Sequence, residues 1–145
     1  YAQYLAGMAF NNASLGHVHA MAHQLGGFYN LPHGECNAIL LPIVEEYNLL
    51  AHVEKFINIA KMMDENVEGL SKRDAAELAI AAIRRLSQDV GIPPSITELA
   101  KRYGKEVSRS DIPTMVANAQ KDACALTNPR KMTDAAVQQL YEVAF

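Results

Sequence analysis

The chain has 145 residues, half of them apolar and a fifth charged, enough for one globular domain with its own hydrophobic core. Lys and Arg number 13 against 16 Asp and Glu, a formal net charge of −3 with no basic stripe, which argues against nucleic acid as a partner. No apolar run suits a membrane span, no signal-peptide pattern appears and Cys36 and Cys124 make no disulfide framework, so a reducing cytoplasm is the natural expectation.

Residues 1 to 15 are rich in Ala and Gly, with Tyr4, Leu5, Met8 and Leu15 as the larger apolar side chains. Small residues permit close packing, so a buried helix is expected. It starts without a cap at Tyr1, as if continuing from a longer protein. Asn11 and Asn12 either loosen this helix or mark a face turned to a site. A second helix is expected over 17 to about 27. Residues 34 to 50 carry Cys36, Ile39, Leu40, Ile43, Val44 and Tyr47 at helical spacing, with Pro42 expected to kink the helix rather than stop it. Val53, Phe56, Ala60 and Met63 repeat that spacing over 52 to 63, and a loop follows from Glu65 to Leu70.

The clearest helix is expected over 72 to 90. Ser71 and Asp74 resemble a capping box, Gly91 suits the C-terminal cap, and Pro93 and Pro94 prevent continuation. Ser95 and Glu98 predict a short helix ending near Gly104. Residues 105 to 110 read as an exposed loop. Ser110 or Asp111 is expected to cap a helix reaching Cys124, and Thr133 the last helix, with Val137, Leu140, Tyr141 and Ala144 on one face. No segment alternates with period two, so the fold class is all-α, a single helical domain over 1–145.

Four of the five histidines lie within GHVHAMAHQLGGFYNLPHG at 16 to 34. His19 and His23 stand four apart and share a helix face, and Pro32-His33-Gly34 sets His33 at the start of the next helix. Neutral imidazoles suit Zn, Fe, Cu or Ni. The bland alternative is a set of hydrogen-bonded core histidines. A metalloprotease reading lacks its general base, because Ala20, Met21 and Ala22 separate the pair.

This stretch resembles the signature of the iron-containing (group III) alcohol dehydrogenases. AGMAFNNASLG at 6 to 16, CNAILLP at 36 to 42, DVGIPP at 89 to 94 and NPR at 128 to 130 fit the same family in order. Within the family the chain looks most like the branch that acts on 1,3-propanediol and other short primary alcohols. Members carry an N-terminal dinucleotide-binding domain followed by an all-helical metal domain. The resemblance therefore implies that this chain is the C-terminal metal and substrate domain, with NAD or NADP bound mainly by an N-terminal domain absent from it. No GxGxxG loop occurs in the chain itself.

The resemblance implies roles residue by residue. His19 and His33 match two of the metal ligands, for Fe2+ or, alternatively, Zn2+. His23 matches the additional active-site histidine near the nicotinamide, outside the ligand set, as a catalytic and cofactor-binding residue. Phe10 and Cys124 match positions bordering the substrate cleft. The bland reading of Cys124 is a buried core thiol, and of Asn128-Pro129-Arg130 a turn between helices. Phe28, Tyr29 and Asn30 are expected to position the ligands by packing. The family's other ligands, an aspartate and a histidine four residues later, find no match here, since no aspartate of the chain is followed by histidine at that distance. His17 departs from the family pattern and His52 has no partner pattern, so neither is expected to bind metal.

Two functions follow. One is an oxidoreductase acting on short-chain alcohols or aldehydes, expected to be a homo-oligomer and inactive without its nucleotide domain. The other is a non-enzymatic helical module whose histidines hold a structural metal or none. The first requires that His19, His23 and His33 converge, that His17 turn elsewhere, and that Phe10 and Cys124 lie nearby.

Overall fold

The computed structural model describes residues 1–145 and contains eight α-helices, three short 3-10 turns and no strand. In chain order the helices are α1 (Ala2–Ala13), α2 (His17–Tyr29), α3 (His33–Asn48), α4 (Val53–Met62), α5 (Lys72–Asp89), α6 (Ile96–Arg102), α7 (Ile112–Ala119) and α8 (Asp134–Ala144). The all-α expectation therefore holds.

Local side-chain caps account for three of the eight α-helix starts. Ser71 Oγ accepts from the Asp74 N–H at 3.2 Å and donates to its carboxylate at 2.7 Å. Ser95 and Thr133 accept from Glu98 N and Ala136 N, each at 3.2 Å. Each cap satisfies a backbone donor that the first helical turn leaves free. Asn30 ends α2 in the left-handed conformation, φ 54°, its N–H reaching Gly26 O at 2.9 Å. Pro42 lies buried inside α3, which runs on past it to Asn48.

The main core gathers Met21 and Leu25 of α2, Leu40 and Val44 of α3, Leu99 of α6, Met115 of α7, and Val137 and Tyr141 of α8. A smaller core joins α4 to α5 through Phe56, Ile57, Ala60, Ala76 and Ile80. The histidine helix thus lies in the main core with one face still open.

Two expectations need correction. Helix α1 is not buried. It contributes no core residue, and Tyr4, Leu5, Met8 and Phe10 are all exposed. Small residues allow close approach, but burial also needs an opposing surface, and nothing in this chain supplies one. The helix expected to reach Cys124 stops at Ala119. Asp122 takes an extended backbone and its carboxylate accepts from the Cys124 N–H at 2.9 Å, which starts a 3-10 turn, Ala123–Thr127, instead. As expected, Asp111 stands at the N-cap of α7, but without a side-chain capping bond; Ser108 caps the 3-10 turn Arg109–Asp111 before it, accepting from the Ser110 N–H at 3.2 Å. The Asp111 carboxylate instead accepts from the Tyr29 hydroxyl at 2.8 Å.

Candidate functional site

The histidine helix begins at Gly16, which has no capping side chain of its own. The missing acceptor comes from far along the chain. Asn128 Oδ1 accepts from the His17 N–H at 3.0 Å, and a Cβ at Gly16 would stand 2.8 Å from that oxygen. Glycine is required here for close approach. Asn128 Nδ2 donates to Asn48 Oδ1 at 2.8 Å, and Asn48 is fully buried at the end of α3. Arg130 donates to Tyr47 O at 2.9 Å and lays its guanidinium over the Tyr47 ring, 3.9 Å from the centroid. The Asn-Pro-Arg turn therefore ties the start of α2 to the end of α3. Farther along α2, the buried Tyr141 hydroxyl donates to Met21 O at 2.9 Å.

On this scaffold three histidines come together. The ring centroids of His19 and His33 are 5.4 Å apart, those of His23 and His33 5.4 Å, and those of His19 and His23 6.1 Å. His23 stacks on His33 with 21° between the rings. His19 is partly buried and makes no side-chain hydrogen bond, while His23 and His33 are open to solvent. Burial, then His33 and His23, hold the His19 imidazole below its ordinary pKa, so it stays neutral and keeps a lone pair. Asn37, one turn beyond His33 on α3, sets its amide nitrogen 3.0 Å from His33 Nε2.

A residue not singled out from the sequence completes the cluster. The Asp122 carboxylate meets His23 Nδ1 at 2.7 Å. Burial works to raise the Asp122 carboxyl, but hydrogen bonds from His23 and Cys124 outweigh it and hold the group below its ordinary value. Potential ligand atoms of His23, Asp122 and Cys124 lie within 4.8 Å of one another. Burial and the neighbouring Asp122 push the Cys124 thiol up, which keeps it protonated. No sequence signal marks Asp122, because its partner is 99 residues away.

His17 turns elsewhere. It is buried, Nε2 lies 3.3 Å from Gln120 Oε1, and Nδ1 has no partner. His52 is exposed at the start of α4. Phe10 lies on the open helix α1 and does not line the cavity of about 780 Å3 that reaches His19, Gly34 and Asn37. Cys124 is thus brought to the cluster, its ligand atom within 4.8 Å of those of His23 and Asp122.

The donor set fits a borderline divalent metal: imidazoles on two rigid helices, that of His19 with no competing hydrogen bond. His19 and His33 alone leave such a shell incomplete.

Residues 1–145 match the family described as "Fe-containing alcohol dehydrogenase family, C-terminal". The chain is 54% identical over 145 residues to 1,3-propanediol dehydrogenase of Citrobacter freundii, covering all of this chain and 36% of that protein. It is 44% identical over 144 residues to NAD-dependent methanol dehydrogenase of Bacillus methanolicus, covering 99% of this chain and 36% of that protein. A solved 1,3-propanediol oxidoreductase superposes with a TM-score of 0.91 at 55% identity, over 97% of this chain and 35% of that one. An alcohol dehydrogenase from Oenococcus oeni gives 0.90 at 53%, over the same shares. The chain thus spans about a third of the length of the relatives it matches. With its helices, its histidine signature and its whole length in agreement, the chain belongs to the iron-containing alcohol dehydrogenase family and corresponds to its C-terminal part.

Proposed function

We propose that the chain is the C-terminal metal and substrate domain of an NAD(P)-dependent enzyme that interconverts short primary alcohols or diols, 1,3-propanediol among them, and aldehydes. The observation that carries this reading is the convergence of His19, His23 and His33 from two helices in a chain of this family. His19 and His33 would hold the metal, Fe2+ or Zn2+, with further ligands from outside the chain. Bound there, the metal supplies Lewis-acid polarisation of the substrate oxygen.

The chain's own residues perform the remaining tasks. Asn128, Asn48 and Tyr141 hold α2 in place, so the two ligands need little ordering when metal binds. His23 stands beside the ligand pair with an imidazole able to take or return the substrate proton. Cys124, protonated and half-buried, serves as a wall of the cleft and not as a nucleophile. Phe10 is the other proposed wall, on family resemblance alone. NAD or NADP is seated mainly by the N-terminal nucleotide domain of the longer protein, a cytoplasmic homo-oligomer. Residues 1–145 alone are expected to be inactive.

The test uses the full-length enzyme loaded with ferrous iron, desalted and assayed with 1,3-propanediol and NAD. His19→Ala and His33→Ala should release the metal and abolish turnover, whereas His23→Ala should retain metal and lose turnover by about 10²-fold or more. Full metal content in both ligand variants would overturn the ligand assignment. Metal retention without alcohol oxidation in the unaltered enzyme would favour the non-enzymatic module.

A further inference from the structure

Asp122 is the one ionised carboxylate in contact with the histidine cluster, and it is itself held fast. One oxygen accepts from the Cys124 N–H at 2.9 Å, which sets the side chain through a local turn. The other meets His23 Nδ1 at 2.7 Å. Its side chain is only 17% exposed, against 39% for His23. An ionised carboxylate only accepts hydrogen bonds, so Nδ1 must carry the proton and donate it. The neutral ring then has its lone pair on Nε2, the nitrogen that no protein group engages. A carboxylate that fixes a histidine in this way sets its orientation and tautomer, and it stabilises the imidazolium once a proton arrives.

We propose that Asp122 is a positioning residue for alcohol oxidation, locking His23 as the Nδ1–H tautomer so that Nε2 is the proton acceptor. The inference rests on the reading of His23 given under Proposed function. The step balances with the oxidised dinucleotide as co-reactant. The alcohol O–H bond breaks and its proton ends on His23 Nε2. A carbon–hydrogen bond breaks with its electron pair, leaving as hydride to the nicotinamide, and the remaining C–O bond becomes the carbonyl. The reverse reaction returns the proton from Nε2.

The test is a double-mutant cycle on kcat in the full-length, iron-loaded enzyme. Asp122→Asn is the informative variant. Its side-chain oxygen can still accept from the Cys124 N–H, but its amide offers a donor to Nδ1 and so inverts the His23 tautomer. Asp122→Ser keeps a turn-capping oxygen and is too short to reach His23. Both should retain iron and thermal stability while kcat falls by about 10²-fold, with KM changing far less. In a His23→Ala background, Asp122→Asn should lower kcat by no more than about twofold further, because the two residues act as one unit. An Asp122→Asn enzyme of unaltered kcat, a loss that multiplies undiminished in the His23→Ala background, or a loss explained by iron release would each overturn the proposal. Wild-type kcat in His23→Ala would overturn both this inference and the catalytic reading of His23. Loss through His23→Ala but not through Asp122→Asn would overturn the inference alone.

Discussion

Asn128 Oδ1 and the His17 N–H are 3.0 Å apart, joined across 111 residues of sequence, and this bond is the N-terminal cap of the histidine helix. A cap supplied from a distant turn fixes where the helix begins relative to the rest of the core, which a local cap does not do. The position of His19 therefore depends on the Asn-Pro-Arg turn.

Asn128→Ala should destabilise the full-length protein by about 2 kcal/mol, because it removes the cap and leaves the buried Asn48 short of its partner. Gly16→Ala should cost about 1–3 kcal/mol in the parent background, since its methyl meets Asn128 Oδ1, and less in Asn128→Ala. Urea titrations of the four proteins give the coupling. Additive losses would show that Gly16 and Asn128 do not meet.

Tyr141→Phe keeps the ring that fills the core but removes the buried hydroxyl that donates to Met21 O. We expect a loss of about 1 kcal/mol, with iron affinity weakened more than by a cap deletion at Ser71, which lies far from α2 in the chain. Thermal unfolding and metal titration check both parts.

Tyr29 should shape the alkaline limb of stability. Burial and the Asp111 hydrogen bond raise its hydroxyl from 10.0 to about 12. The unfolded chain therefore loses this proton first, so the folded state binds more protons between these values and stability falls as pH rises through the window. Below pH 10 the contribution is fully present. Wild type should be more stable than Tyr29→Phe at pH 9, and the gap should close toward pH 12, as measured by urea unfolding at each pH.

The two thiols should differ in accessibility yet share low reactivity. Cys36 is fully buried, and burial followed by Glu35 raises its thiol to about 11. Cys124 is half-buried and also raised. Iodoacetamide at pH 7.5 should leave Cys36 untouched in the folded protein and modify Cys124 at least about tenfold more slowly than free cysteine. Mass spectrometry before and after denaturation reads both, and fast native labelling of Cys124 would contradict its protonated state.

Phe10→Ala should leave iron content unaltered and shift the preference among alcohols of different chain length by about 1–3 kcal/mol in kcat/KM. Equal ratios across the alcohol series for both enzymes would remove Phe10 from the cleft.

Much of the fold was legible from residues three or four positions apart. Ser71, Ser95 and Thr133 announce helix starts because each cap reaches a backbone donor within the next three residues. His19 and His23 announce a shared face because the helix period places them there. The resemblance carried by residues 16 to 34 then pointed to His33 as their companion. Only the tertiary structure decided the rest. It exposed α1, since burial depends on an opposing surface and not on composition. It set Asp122 against His23 and Asn128 at the head of α2, across separations of 99 and 111 residues. A hydrogen bond between neighbours leaves a spacing that can be read along the chain, whereas one between distant segments comes into being only when the core brings them together.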